Sequence, residues 1–193
     1  MQNVMLDLET LGTQADCVVL AIGAVKFDVD GSPLGERFYV ECDIDDQLTN
    51  GRTITGATIS WWMSQSAAAR QVFLGGQEKP PLFVGLEMFA EFLSDNPDVK
   101  VWGNGAEFDI AILSHAYASE RMQQPWLYRN SRCYRTLKSL SLRPKRTAFL
   151  PGVPHNALDD AIDQALHAQE MLFNGSDIDN ADAVAGFLIS EEM

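Results

Sequence analysis

The chain has 193 residues, 46% hydrophobic and 21% charged, which is ordinary for one globular domain, and its net charge of −13 at first sight argues against a nucleic-acid partner. Its longest apolar run, Val18–Val25, is too short to span a membrane, and no basic leader precedes Asp7. The length predicts a single domain over residues 1–193, and the short apolar run predicts no membrane partner. The three cysteines lack C-x-x-C spacing and predict free thiols, so we expect the protein in the cytoplasm.

The first part of the chain predicts three strands separated by turns. Asn3–Asp7 predicts a short strand, and Cys17–Asp28 predicts a central strand because it is apolar on both faces. After a turn, Arg37–Cys42 predicts the next strand of an antiparallel meander. Residues 43–56 are polar and rich in Gly and Thr, so we expect a loop there.

The middle of the chain alternates helices with one more strand. A helix capped by Thr58 is predicted to run past Ala69, and a second covers Leu82–Leu93, where apolar residues recur at helical spacing. Val99–Gly103 predicts a short strand, and Ala106–Met122 predicts the helix that follows it.

The C-terminal part contains a basic window from Arg121 to Leu158. It has no Asp or Glu and carries +8, against −21 for the rest of the chain. Its basic residues are Arg121, Arg129, Arg132, Arg135, Lys138, Arg143, Lys145 and Arg146. This asymmetry indicates a polyanionic partner despite the acidic total, with a solvated basic surface as the alternative.

Three helices complete the predicted elements. Thr136–Leu142 predicts a short helix, Asn156–Phe173 predicts a long one that Asn156 can cap, and Ala181–Ile189 predicts the last. The chain is therefore predicted to be α/β, with a mixed central sheet of antiparallel and parallel strands flanked by helices.

Two carboxylates close the first predicted strand. Asp7 and Glu9 stand two residues apart, so they point to the same face of a strand. Neighbouring like charges raise each other's pKa unless a cation lies between them, and oxygen ligands suit Mg²⁺ or Mn²⁺. Taken alone, the pair favours two solvated acids at a strand end, with a divalent metal site as the alternative. The rest of the chain shifts the balance toward the metal site, because it offers three more residues of the kind that such a site needs.

Two later segments add residues of the same chemistry. Asp109 follows the fourth predicted strand, at the start of a helix. His155 lies at the entry of the long helix, and Asp160 follows one turn inside it. An unperturbed histidine has a pKa of about 6.5 and can accept a proton at neutral pH.

In order and spacing, these segments resemble the three motifs of the DEDDh exonucleases, the group similar to proofreading subunits and RNase T on an RNase H-like fold. The matching residues are Asp7-x-Glu9, Asn104 with Phe108-Asp109, and His155-x-Ala157-x-x-Asp160-Ala161. A finer resemblance, to a small bacterial and phage branch related to mycobacterial exoribonuclease-like proteins, rests on Trp61-Trp62 with Gln65 and on Arg132 to Leu137.

The resemblance implies a metal-dependent 3′→5′ exonuclease that hydrolyses phosphodiester bonds at single-stranded DNA or RNA ends and releases nucleoside 5′-monophosphates. Two ions, Mg²⁺ or Mn²⁺, are implied, held by Asp7, Glu9, Asp109 and Asp160. Asp7 is expected to bridge them, and His155 to act as the general base.

Substrate contacts are expected from a second set of residues: Thr10, Leu11, Asn104, Trp61, Arg143 and Lys145. The resemblance places Thr10 and Leu11 beside the terminal nucleotide. For Asn104, holding its loop is the favoured role and substrate contact the alternative. Either Trp61 or Trp62 could stack on a base, while at least one should belong to the core. Arg143 and Lys145 come from the basic window.

Two rival functions are weighed against the exonuclease. One is a nucleic-acid-binding module with a decayed site, which would have no reason to keep all five catalytic side chains. The other is an RNase H-like endonuclease, which has no need of the spacing at His155. The sequence does not decide between DNA and RNA, because nothing marks a contact to the 2′-hydroxyl. A homodimer is expected by family analogy alone.

Overall fold

The computed structural model describes residues 1–74, 78–94, 96–105, 107–141 and 152–173. The strands are β1 (Asn3–Thr10), β2 (Val19–Phe27), β3 (Arg37–Glu41), β4 (Lys100–Gly103) and β5 (Ser131–Cys133). The α-helices are α1 (Ile44–Thr49), α2 (Gly56–Met63), α3 (Leu82–Leu93), α4 (Asp109–Ser119), α5 (Tyr134–Leu140) and α6 (Ala157–Leu172). Short 3₁₀ turns cover Ala69–Phe73 and Tyr128–Asn130.

The strands form one mixed sheet in the order β3-β2-β1-β4-β5. The pairs β1–β2 and β2–β3 are antiparallel, whereas β4 and β5 continue the sheet parallel to β1. The predicted α/β architecture is therefore confirmed. Within the described parts of the chain, no helix has both the length and the apolar character needed to cross a membrane.

Alternating side chains of β1 serve two layers of helices. Val4, Leu6 and Leu8 are buried in the cluster that also holds the apolar residues of α3 and α4. Met5 points the other way, into a cluster with the small residues of α6. The next residues on that second face are Asp7 and Glu9, so the strand's alternation places both carboxylates beside α6.

Close packing brings α6 onto the sheet at the site end of β1. Gly23 lies opposite Asp7 in the β1–β2 ladder, and a Cβ built on Gly23 would meet the backbone carbon of Ala157 at 2.2 Å. Along α6, Ala161 and Ala165 are fully buried against the sheet. The absent or small side chains on both partners therefore let the start of the helix approach the strands.

The predicted loop over residues 43–56 was wrong, because it contains α1. Asp43 caps that helix, accepting a hydrogen bond from the Asp46 amide at 2.7 Å. Gln47 is buried and bonds the Val19 amide and carbonyl of β2, each at 2.8 Å. A buried polar side chain thus attaches this helix to the sheet, so the segment lacks the apolar face by which a helix is recognised in a sequence.

Several predicted boundaries also moved. The first strand runs to Thr10 because its pairing with β2 continues that far, and α2 begins at Gly56 rather than after Thr58 and ends at Met63. The helix expected to end at Met122 stops at Ser119, shortly before Arg121 takes a left-handed φ of 57°.

The remaining differences lie near the C-terminus. Strand β5 was not predicted, and α5 begins at Tyr134 rather than Thr136. The long helix is confirmed as α6, with Asn156 as its N-cap. The helix predicted over Ala181–Ile189 lies outside the described residues.

Candidate active site

The carboxyl end of β1 supplies two acids to the α6 side of the sheet. Glu9 is buried, with only 6% of its surface exposed, and Asp7 is partly buried. Gly23, opposite Asp7 on β2, contributes no side chain, and the backbone at the start of α6 occupies the space that a side chain would take. The period-two geometry expected from the sequence is therefore present, and it points both acids at a helix rather than at solvent.

The start of α6 supplies a third acid, Asp160. The Asn156 side chain accepts hydrogen bonds from the amides of Leu158 and Asp159, which fixes where the helix begins. Asp160 then falls in the first turn, on the side of Glu9. One ligand atom each from Glu9, His155 and Asp160 lies within 4.8 Å of the other two.

Asp109 joins the site from the parallel strand β4. It is the first residue of α4 and is almost fully buried. Its Oδ1 accepts a hydrogen bond from the Leu8 amide at 3.3 Å, and its Oδ2 accepts one from the Asn104 amide at 2.6 Å. These bonds tie the carboxyl ends of β1 and β4 together at the site.

His155 precedes α6 in a left-handed conformation with a φ of 66°. Its backbone amide donates to Oδ2 of Asp160 at 2.9 Å, so the histidine and the acid are fixed to each other. The imidazole ring contacts Trp61 edge to face, with 4.8 Å between ring centroids. Burial lowers the pKa of His155, which keeps the ring neutral and able to accept a proton near neutral pH.

Burial raises the pKa of all four acids, and repulsion by other acids of the site adds to the rise for Asp7 and Glu9. Burial is the largest cause in each case: it raises the pKa of Glu9 to about 8 and those of Asp109 and Asp160 to about 6. The pKa of Asp7 lies well above its usual range, through burial and then through the charges of Asp109, Glu9 and Asp160. Ionising all four without a nearby cation is therefore costly.

The donor set fits a hard divalent cation. Carboxylate oxygens are the ligands that Mg²⁺ and Mn²⁺ prefer. Oε1 of Glu9 is buried without a hydrogen-bond partner among the described residues, although buried acceptors are normally satisfied. An oxygen of this kind, inside a cluster of acids with raised pKa values, is suited to a metal ligand.

Thr10 and Leu11 lie beside the acids but are buried. The Thr10 hydroxyl donates to the Gly12 carbonyl at 2.7 Å, and Leu11 packs in the cluster that contains Trp62. Asn104 supplies the amide that bonds Asp109, in line with its alternative role in its loop, and its side-chain Oδ1 is buried without a partner in the described structure. Substrate contact by these three residues stays a prediction.

The two adjacent tryptophans divide between core and surface. Trp62 is buried, and its Nε1 donates to the Thr10 carbonyl at 2.8 Å. Trp61 is 43% exposed and stands against His155. Of these two residues, Trp61 therefore presents an exposed ring surface next to the acids, and Trp62 is the one that belongs to the core.

Of the basic window, Arg135 is placed next to the site. It is exposed on α5, and its Cζ lies 3.8 Å from the point that a Cβ on Gly105 would occupy. Burial raises the pKa of Asp109, and the charge of Arg135 acts against that rise. Arg143 and Lys145, predicted to bind substrate, lie outside the described residues.

Sequence reasoning missed Gln164. Its Nε2 donates to Oδ1 of Asp7 at 2.7 Å, and its side chain is buried. The available signal was its position four residues after Asp160, which places both on one face of α6.

The comparison with protein families decides the assignment. The model of the "3'-5' exoribonuclease Rv2179c-like domain" matches residues 2–172, which is most of the chain and includes all five predicted catalytic positions. The chain belongs to this family. The predicted resemblance, including its finer branch, is confirmed.

Relatives of the Rv2179c-like chain include an exodeoxyribonuclease of Enterobacteria phage T4, which is 24% identical over 124 residues. That match covers 58% of this chain and 54% of the phage protein, so the chain spans about half the length of that relative.

Two solved structures show the same fold. The nuclease domain of 3'hExo, a DEDDh family member bound to rAMP, has a TM-score of 0.58 and 15% identity, covering 88% of this chain and 90% of that one. E. coli exonuclease I in complex with a dT13 oligonucleotide has a TM-score of 0.59 and 16% identity, covering 87% and 40%. The Rv2179c-like chain therefore has the RNase H-like fold of DEDDh exonucleases.

Proposed function

We propose that this chain is a metal-dependent 3′→5′ exonuclease that hydrolyses phosphodiester bonds at single-stranded DNA or RNA ends and releases nucleoside 5′-monophosphates. The observation that carries the proposal is the meeting of four acids from three separate elements, with His155 beside them. Membership of a 3′-5′ exoribonuclease family supports the direction of the reaction. The residues that form the site are Asp7, Glu9, Asp109, His155 and Asp160.

The four acids would hold two divalent ions, Mg²⁺ or Mn²⁺. Such ions, when bound, supply an activated water and stabilise the leaving 3′-oxygen. Asp7 is the best candidate for the shared ligand, because its pKa responds to all three other acids of the site. The repulsion among these acids also supports the proposal, because bound cations would offset it.

His155 would take the proton of the attacking water. Its ring is next to Glu9 and Asp160, and burial keeps it in the neutral form that can accept a proton. The hydrogen bond from its amide to Asp160 keeps the base aligned with one of the metal-binding acids. Trp61, in contact with the imidazole, offers an exposed ring on which a terminal base can stack.

Arg135 and the basic window would attract the strand to this acidic protein. Arg135 stands at the Gly105 corner, close enough to influence Asp109. Arg143 and Lys145 follow in the same acid-free window and would extend the contact along the phosphate backbone. Single-stranded 3′ ends of DNA or RNA are thus the proposed partner.

A catalytically decayed binding module is the first rival. It is disfavoured because the acids and the histidine are held by specific hydrogen bonds, which binding alone does not need. An RNase H-like endonuclease is the second rival, and only an assay of the products separates it from an exonuclease. We further propose that residues 1–193 form one exonuclease domain, since the elements from β1 to α6 share one sheet and its layers.

The testing experiment uses one oligonucleotide labelled at either end, with Mg²⁺, in matched DNA and RNA forms. A 3′→5′ exonuclease releases labelled mononucleotide at once from the 3′-labelled strand and gives a descending ladder from the 5′-labelled strand. Labelled fragments longer than a mononucleotide from the 3′-labelled strand would instead support the endonuclease, and intact strands would support the decayed module. The ratio of DNA to RNA rates assigns the substrate.

A further inference from the structure

Asp7 receives one side-chain hydrogen bond within the described structure. Gln164 donates it from Nε2 to Oδ1, at 2.7 Å. Asp109, by contrast, accepts two backbone amides, and Asp160 accepts the amide of His155. Asp7, which is repelled by the three other acids of the site, therefore depends on the Gln164 side chain for its orientation.

Gln164 is itself firmly placed. It follows Asp160 by one turn of α6, is only 6% exposed, and lies on a helix that packs closely on the sheet. Its other polar atom, Oε1, is buried without a hydrogen-bond partner among the described residues. A buried amide oxygen without a hydrogen-bond partner costs free energy. The Gln164 side chain thus satisfies Asp7 through Nε2 while its own Oε1 is left without a partner.

We propose that Gln164 is a positioning residue that holds Oδ1 of Asp7 and leaves the other carboxylate oxygen free for a divalent cation. The inference rests on the proposed metal site and adds to it a residue that touches no reacting atom. Hydrogen bonds to a ligating carboxylate orient it, and their loss commonly weakens metal binding by about 10–100-fold.

The same helix provides a matched control. Gln169 is also 6% exposed, and its Nε2 donates to the carbonyls of Asp28 and Ser32, both at 2.8 Å. Those carbonyls follow the end of β2 that pairs with the beginning of β1, away from the acids. Gln164→Met and Gln169→Met therefore remove the same kind of buried amide from α6, one at the site and one distant from it.

The experiment measures Mg²⁺ binding by titration calorimetry, and thermal melting, for wild type and both variants. We expect Gln164→Met to raise the Kd for Mg²⁺ by about tenfold or more, and Gln169→Met to lower the melting temperature with an unchanged Kd. If Gln164→Met does not fold, Gln164→Asn replaces it, since its amide is too short to reach Asp7.

Failure of this inference is distinguishable from failure of the proposed function. Wild-type protein that binds no Mg²⁺ would overturn the metal site itself. Wild-type binding together with an unchanged or tighter Kd in the Gln164 variant would overturn the positioning role alone. A raised Kd for Mg²⁺ in both glutamine variants would also overturn it, because the effect would then come from a general loss of packing of α6.

Discussion

His155, the proposed general base, shows how a single backbone angle can orient a side chain. A non-glycine residue with positive φ is uncommon, and here the conformation directs the amide to Asp160 and the ring to the side of Trp61. The ring's position thus depends on the turn before α6 as much as on its own contacts. A test of its chemistry should leave that turn intact.

His155→Asn meets this condition, since asparagine tolerates left-handed φ better than alanine does. We expect kcat to fall by roughly 10²–10⁴, the usual contribution of a general base, with little change in metal affinity. Because only the neutral ring accepts a proton, wild-type kcat at saturating Mg²⁺ should decline as the pH falls through the pKa of His155, and the variant should lose this decline. An unchanged pH profile in the variant would assign the proton to another group.

The raised carboxyl pKa values predict how the metal-free protein responds to pH. Unfolded carboxyls have a pKa near 4, whereas in the folded protein that of Glu9 is about 8 and those of Asp109 and Asp160 are about 6. Between about pH 4 and pH 8 the folded state thus binds more protons, so these acids reduce the free energy of unfolding as the pH rises.

Asp7→Asn should remove part of this loss in the metal-free protein. About 1 kcal/mol shifts the melting temperature of a chain of this size by about 2–4 °C, and we expect the variant to melt at least about 2 °C above wild type at pH 8, with a smaller difference at pH 5. Asp45→Asn makes the same charge change on the exposed start of α1 and is the control. A difference that shrinks with rising pH would contradict the assigned pKa shifts.

At this scale the sequence predicted identities better than environments. The spacing of the acids and His155, together with its resemblance to the DEDDh motifs, led to the five proposed catalytic residues. Gln164 was not found, because a glutamine in a helix carries no distinguishing chemistry until its neighbour is known. Which of Trp61 and Trp62 is buried could likewise not be predicted, because it depends on the Thr10 carbonyl that accepts a hydrogen bond from Trp62.

Among the elements, the contact between β2 and the start of α6 matters most for the site. Gly23 gives the helix room to approach, and the helix carries both Asp160 and Gln164. A strand glycine normally weakens a sheet, and close approach of another backbone is one reason to place one there.

Gly23→Ala should therefore disrupt the site as well as the fold. Its Cβ would meet backbone atoms of Ala157 and Leu158 at 2.2–2.4 Å, and neither can move without shifting α6. We expect a clearly lower melting temperature and at least about tenfold weaker Mg²⁺ binding, as found when supporting contacts of metal ligands are lost. Gly56→Ala is the control, because its Cβ would meet nothing within 4 Å. Wild-type binding in the Gly23 variant would show that the helix does not need this contact.

Element prediction succeeded where the apolar pattern was clear, on both faces of β2 and on one face of α3 and α6. It failed for α1, whose buried face is formed by Gln47 bonding to β2, and for the end of β1, where pairing rather than composition decides the length. Strand β5 has only three residues, all partly buried, too few for an alternation to be recognised.

For the whole molecule, the central problem is to bring a polyanion to four acids in a chain of net charge −13. The basic window supplies the opposite charge, and Arg135 shows that it reaches the site. The asymmetry could be predicted from sequence, whereas the position of Arg135 depends on the packing of β4 and α5.

Salt dependence measures this contribution. Each single-strand phosphate contact should add about −0.7 to the slope of log K against log salt. Arg135→Ala should thus flatten the slope by about 0.7, and Arg143→Ala with Lys145→Ala by about 1–1.5, each raising KM with little change in kcat at saturation. Lys100→Ala, at the opposite end of β4, should leave the slope unchanged. Slopes parallel to wild type in all variants would mean that the basic window faces solvent away from the substrate.

The central claim, that these acids form a metal-dependent hydrolytic site, is tested most directly by the release of nucleoside 5′-monophosphates from a single-stranded oligonucleotide. Wild type and Asp7→Asn are compared with Mg²⁺ and with EDTA. Since the acid that we propose both ions share loses its charge in the variant, we predict 5′-mononucleotides from wild type with Mg²⁺ and none in the other three reactions. Release by wild type in EDTA, or by Asp7→Asn at more than about a tenth of the wild-type rate, would contradict the account.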